Sequence, residues 1–153
     1  MKITDILRRE FIIEELKSKN KKDILAELSG VFGKVDEIID FATMLNVLME
    51  REKLGSTAIG DGIAIPHGKM KGLRTLMLSF GRSKEGVDFN AMDGKPVHLF
   101  FLLMAPEDSA GQHLKVLAKL SRMLKDVTFR KKLMSARSKD ELHKIIEERT
   151  DVC

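Results

Sequence analysis

Gly62-Ile63-Ala64-Ile65-Pro66-His67-Gly68 is the stretch from which the rest of this chain can be read. Its apolar residues, two of them β-branched, suit a buried strand. Pro66 has no N–H to give, so strand pairing is expected to stop there. Gly68 has no side chain, which would let a partner or an anion approach the imidazole closely. The expected product is a single histidine, His67, on a rigid strand-end mount at the surface, titrating near neutral pH. Upstream, Gly55-Ser56-Thr57 and Gly60-Asp61-Gly62 make residues 54–68 dense in glycine and small hydroxyl side chains. Loops of that composition can turn several backbone N–H groups toward one anion.

The flanking sequence predicts helices before and after a β-rich middle. A short helix is expected near Thr4, then an extended segment from Phe11 to Leu16. Asn20 is a plausible N-cap for a helix to about Val35, with Ile24, Leu28, Val31 and Val35 on one face. Asp36 and Asp40 flank the start of the next helix, which points Phe41, Leu45 and Leu48 inward and ends near Arg51. Strands are predicted at Ile63 to Pro66, Leu76 to Gly81, Gly86 to Phe89 and Val97 to Met104, with Asp93-Gly94 as a turn. The unbroken apolarity of Leu99 to Met104 predicts a central strand covered on both faces. Ser109-x-x-Gln112 reads as a capping box opening a helix to about Lys125, whose buried stripe is Leu114, Leu117, Leu120, Met123 and Leu124. A short helix at Thr128 to Met134 follows. Ser138-x-x-Glu141 reads as a second capping box, with Leu142, Ile145 and Ile146 inward. Helices on either side of a run of strands give an α/β sandwich, and 153 residues suit one domain, 1–153.

Composition narrows the function classes. The lone Cys153 permits no intramolecular disulfide and no cysteine metal site. The net charge of +4 is modest, and Trp and Tyr are absent. Basic residues alternate with acids, as in Lys139-Asp140-Glu141 and Glu147-Glu148-Arg149, so the charge reads as a solvated helix face and not as a nucleic-acid footprint. It could still attract an acidic partner. No apolar run approaches the roughly 20 residues that span a bilayer. Lys2, Asp5, Arg8, Arg9 and Glu10 break any signal-peptide pattern, so the cytoplasm is the expected compartment.

Four histidines and one arginine are the candidates for chemistry. His67 is either an ordinary loop histidine or a presented reactive group. His113 falls on the first turn of a helix, where free N–H groups and the helix dipole favour an anion; the alternative is an exposed helix residue. His98, between Val97 and Leu99, is expected to be a satisfied structural residue, and His143 to face solvent. Arg51 ends a helix, where the dipole favours a cation in any case, but a guanidinium also meets phosphoryl oxygens bidentately. No His-x-x-His or HExxH spacing is present, so no metal is expected.

Taken together, Arg51-Glu52-Lys53, the segment Leu54 to Gly68, Gly86-Val87-Asp88-Phe89-Asn90-Ala91-Met92-Asp93-Gly94, the apolar strand Val97 to Met104 and His113-Leu114 resemble enzyme IIA of the bacterial phosphoenolpyruvate-dependent phosphotransferase system, of the mannitol/fructose/nitrogen type. The resemblance covers nearly the whole chain. It implies a mixed β-sheet flanked by helices on both faces. It further implies that His67 carries a phosphoryl group on Nε2, that His113 and Arg51 assist, and that no metal, nucleotide or organic cofactor takes part. Backbone N–H groups of Gly55, Ser56, Thr57 and Gly68 are expected to stabilise the phosphoryl group, and Ile63, Ile65 and Met70 to form an apolar rim that excludes water. The implied donor is a histidine-containing phosphocarrier protein. The implied acceptor or partner is a regulatory target protein or a IIB domain. Leu54-Gly55-Ser56-Thr57 and Gly62 to Lys69 look most like the nitrogen-type regulatory members. With no second domain in the chain, a regulatory switch is expected before a fructose-type step in sugar uptake. A non-phosphorylated binding module of the same fold is the third alternative, against which the intact His67, His113 and Arg51 stand.

Overall fold

The computed structural model of the protein describes residues 2–34 and 39–150. Among them lie six strands: β1 (Ile12–Ile13), β2 (Ala58–Gly60), β3 (Ile63–Ala64), β4 (His67–Met70), β5 (Met77–Val87) and β6 (Val97–Pro106). They form one sheet in the order β1-β5-β6-β3-β2, with β4 also paired to β6. β5 runs antiparallel to β6 and β2 antiparallel to β3; β1 is parallel to β5, and β3 and β4 are parallel to β6. The sheet is therefore mixed. β6 is its spine, and every side chain from Leu99 to Ala105 is buried. That is the behaviour its unbroken apolar run predicts for a strand covered on both faces.

Five α-helices flank the sheet: α1 (Lys21–Gly30), α2 (Phe41–Lys53), α3 (Ala110–Leu124), α4 (Val127–Ser135) and α5 (Lys139–Thr150). Asn20 caps α1, its Oδ1 accepting from the Asp23 N–H at 2.9 Å. Asp40 caps α2 through the Thr43 N–H at 3.1 Å. Each cap satisfies one of the amides that an α-helix leaves free at its start. α1 ends at Gly30 and continues as a 3-10 turn to Lys34; Val35 and Asp36, read as the helix end and the next cap, lie outside the described residues, as does Cys153. α2 runs two residues past Arg51 and buries Met44, Leu48 and Glu52, while Phe41 and Leu45 are half-buried.

The structure corrects the sequence reading at several points. The segment from Phe11 to Leu16 is extended as a paired strand only at Ile12–Ile13, because Arg9–Phe11 is a 3-10 turn. Gly86 and Val87 are the end of β5 and not a separate strand; an irregularity between Arg82 and Val87 replaces the expected break. Ser109 makes no cap to its helix, since its Oγ donates to Pro106 O at 2.7 Å. Leu114 is 66% exposed. The buried stripe of α3 is His113, Val116, Leu120, Met123 and Leu124; Leu120, Met123 and Leu124 are as expected, and only the first half is shifted by one residue, because the histidine takes the inward position. Arg82, unremarked in sequence, is fully buried on β5. It donates to Glu14 O, Leu133 O and Ala136 O, tying the end of α4 to the edge of the sheet.

Candidate functional site

His67 opens β4, and the site is built from that strand, the C-terminal turn of α2, the loop after it and the first turn of α3. Pairing does not end at Pro66. The proline only interrupts it, its carbonyl still accepting from the Leu103 N–H at 2.9 Å, and the ladder resumes with His67 opposite Leu103. The histidine is half-buried, where an exposed strand end was expected. Gly68 is not an approach route either. It is buried opposite Met104, and a Cβ there would lie 2.8 Å from Val47 Cγ1 of α2. Glycine at 68 lets the helix sit directly on the strand.

The hydrogen bonds of His67 define its tautomer. Nδ1 lies 2.9 Å from Ile65 O. A carbonyl can only accept, so Nδ1 carries the proton and Nε2 of the neutral ring holds a bare lone pair. Arg51 Nε donates to that Nε2 at 3.3 Å, while Arg51 Nη1 donates to Gly55 O at 2.8 Å. The ring of His113 stands 5.3 Å from that of His67, centroid to centroid, tilted by 60°. His113 is only 6% exposed, and its Nε2 is buried with no hydrogen-bond partner. An unpaired buried polar atom is costly and calls for an explanation; here it belongs to the ring packed against His67.

Both imidazoles are held neutral. Burial lowers the pKa of His67 from its ordinary value, and the Arg51 charge adds to this, against the opposing hydrogen bond to Ile65 O and the charge of Glu52. Burial pushes His113 down to about 4, helped by His67 and Lys69. At neutral pH the site therefore sets an unprotonated imidazole beside two cations, Arg51 and Lys69. Lys69 lies two residues along β4 from His67, on the same face of the strand.

Glu52 organises the surroundings, a role that its place in the Arg51-Glu52-Lys53 stretch does not reveal. Its carboxylate is buried. It accepts from Lys21 Nζ at 3.1 Å, from the Thr57 N–H at 3.2 Å and from Thr57 Oγ1. Ser56 Oγ donates to Phe89 O at 2.7 Å, and Lys21 Nζ sits 4.8 Å above the Phe89 ring. Residues 54–57 are thus pinned from three sides. The same bonds occupy backbone donors once expected to face a phosphoryl group: the N–H of Gly55 donates to Glu52 O and that of Thr57 to the Glu52 carboxylate. Ile63, Ile65 and Met70 are core residues and form no rim. The exposed apolar side chains next to the site residues are Leu54 at 85% and Leu114 at 66%. His98 is satisfied by Ser83 O at 2.9 Å, and His143 is half-buried, 3.7 Å from Glu147. Among the described residues, no three of His, Cys, Asp and Glu gather as metal ligands, and no helix is long and apolar enough to cross a membrane.

The site thus gathers a neutral histidine on a strand, a second buried histidine packed against its ring and a helix-end arginine bonded to its Nε2. Residues 5–149 match the family described as phosphoenolpyruvate-dependent sugar phosphotransferase system, EIIA 2, and the chain belongs to that family. It is 41% identical over 146 residues to a nitrogen regulatory protein of Bradyrhizobium diazoefficiens, covering 95% of each chain. It is 38% identical over 148 residues to the fructose-specific EIIABC component of Bacillus subtilis, covering 97% of this chain but 23% of that one. The nitrogen regulatory protein IIA-Ntr from Neisseria meningitidis has the same fold, with a TM-score of 0.87 and 36% identity over 94% of this chain and 98% of that one.

Proposed function

We propose that the protein is a phosphohistidine carrier in which Nε2 of His67 accepts a phosphoryl group from the phosphohistidine of a donor carrier protein. The bond from phosphorus to the donor nitrogen breaks, its electron pair returns to the donor imidazole, and the Nε2 lone pair of His67 forms the new bond. The observation that carries the reading is the Nδ1 contact to Ile65 O, which leaves Nε2 unprotonated. Arg51 must first swing its Nε off that lone pair, and its fork is then free to meet the phosphoryl oxygens. The unpaired Nε2 of His113 can donate to the same oxygens once it carries the proton. Such preplaced donors stabilise charge in transfer, and the rest is positioning. Of the backbone groups, the N–H of Ser56 remains in the proposal; those of Gly55 and Thr57 would have to leave their present acceptors, and that of Gly68 is buried in β4.

The likeness to nitrogen regulatory proteins supports a regulatory role in the cytoplasm, in which phosphate on His67 changes which target proteins bind. It brings roughly −1.5 to −2 charges to a surface beside Leu54 and Leu114. A partner packing apolar or acidic surface there is expelled, and one offering arginines is retained. The near-equal likeness to a fructose-specific EIIABC chain supports a second reading, in which the acceptor is a IIB domain. The test is to phosphorylate the protein with enzyme I, phosphoenolpyruvate and a phosphocarrier, then add a fructose-type IIB domain. Stable phosphate on His67 together with different pull-down partners for the two forms supports the switch. Rapid discharge to IIB, with loss of sugar uptake on gene deletion, supports transport. Failure of His67 to become labelled overturns both.

A further inference from the structure

A cleft of about 410 Å³ lies between the turn before β3, the start of β6 and α4. It is separate from the His67 site. Ile63 of β3 pairs with Leu99, and His67 pairs with Leu103. Four residues of β6 place the two sites roughly 13 Å apart along the strand, and none of His67, His113, Arg51 or Glu52 lines the cleft. Its apolar surface comes from Leu99, Met134 and Val127, the last 51% exposed. Its polar side chains are held in place or unpaired. Arg130 on α4 is half-buried and anchored by Nη1 donating to Leu124 O at 2.6 Å, and no carboxylate among the described residues pairs with its guanidinium. Lys131 beside it has no ion-pair partner among the described residues either. His98 is clamped: Nδ1–H donates to Ser83 O, and a Cβ on Gly86 would lie 2.8 Å from its Cε1. One acid of the lining, Asp61, opposes the two cations, and Asp93 and Lys95, of opposite charge, line the adjoining hollow that Arg130 also borders.

Chemistry of this kind selects a ligand class. Two cations against one acid, beside an apolar wall, favour an anion whose body is apolar, because the guanidinium fork takes a carboxylate bidentately while the wall takes the hydrocarbon. The volume is that of a small-molecule site. We infer that this cleft binds a small organic monocarboxylate with an apolar body, at a site independent of His67.

Phenylbutyrate is the test probe and its neutral amide, phenylbutanamide, the control, each titrated into the ¹⁵N-labelled protein and followed by amide NMR. The inference predicts saturable one-to-one shifts at Gly62, His98, Leu99 and residues 127–135, and binding about tenfold weaker for the amide. Arg130→Gln and Lys131→Gln should each weaken carboxylate binding, and His67→Ala should leave it unchanged. Lys131→Gln keeps the anchor to Leu124 O, so it remains informative should Arg130→Gln unfold. Equal response to the amide, shifts centred on Leu54 and Leu114, undiminished binding in the charge variants that fold, or no saturable response would overturn the inference.

Discussion

Gly68→Ala should loosen the joint on which the site depends. The new Cβ would stand 2.8 Å from Val47 Cγ1, where carbon atoms normally approach to about 3.5–4.0 Å. Val47 is β-branched and has one torsion with which to yield, so α2 and β4 must separate. Overpacking of this kind costs about 1–3 kcal/mol. Relief of glycine's backbone entropy returns roughly 0.5–1 kcal/mol. For a chain of this size, a net loss of about 1–2 kcal/mol lowers Tm by roughly 2–8 °C. The effect should also reach the chemistry. Arg51 lies four residues beyond Val47 on the same face of α2, so pushing the helix off β4 stretches the 3.3 Å contact between Arg51 and His67. Misplacement by about 1 Å can slow a reaction on the order of 10²-fold. Thermal unfolding and single-turnover transfer from a labelled phosphocarrier would measure both effects. Adding Val47→Ala removes the obstructing methyl and should restore stability and transfer together. An unchanged Tm in Gly68→Ala would refute the packing argument. So would a double variant that regains stability but not transfer, because glycine would then be serving the approach of the reacting group.

Further outcomes follow from the same geometry. Glu52→Gln strands Lys21 and should destabilise the fold by roughly 3 kcal/mol, at the low end for breaking a buried pair because Lys21 keeps some exposure; denaturant unfolding checks it, and Lys21→Met in the same chain should recover part of the loss. His113→Ala should fold and still be phosphorylated on His67, but with transfer slower on the order of 10²-fold; an unchanged rate would make the orphaned Nε2 incidental. Arg51→Lys should also slow transfer, because lysine keeps the charge and loses the planar fork. His113 titrates at about 4 when folded, and in the unfolded chain near the ordinary histidine value of about 6.5. The unfolded chain therefore binds the proton first, and stability should decline as the pH falls from about 6.5 toward 4, with no such contribution above that window. A urea midpoint series should show that decline, reduced in His113→Gln.

Much of this was legible in the residues because local signals and burial agreed. Asn20 and Asp40 are side-chain caps in the structure, and the unbroken run from Leu99 to Met104 is the covered central strand. Position 68 was misread because a glycine beside a histidine says nothing about what packs on its far side. Only the fold brings Val47 there, from 21 residues earlier in the chain. His113 was placed correctly at a helix start, but its burial was missed because leucine stood next to it and took the inward role in the pattern. Glu52 and Arg82 look like surface charges in sequence. They are buried because long-range partners satisfy them: Lys21 and Thr57 for one, the carbonyls of Glu14, Leu133 and Ala136 for the other. Pro66 was read as the end of a strand, yet parallel pairing with β6 resumes one residue later because only its own N–H is missing from the ladder.

The central claim is that Nε2 of His67 is the phosphoryl acceptor, and long-range ¹H–¹⁵N correlation NMR of the ¹⁵N-labelled protein tests it most directly. Before phosphorylation, His67 should show the tautomer with the proton on Nδ1, and its midpoint should lie below that of an ordinary histidine. After incubation with enzyme I, phosphoenolpyruvate and phosphocarrier, the Nε2 signal of His67 alone should move and gain coupling to phosphorus. Phosphate on Nδ1, on His113 or on any other residue, or labelling that persists in His67→Ala, would contradict the account.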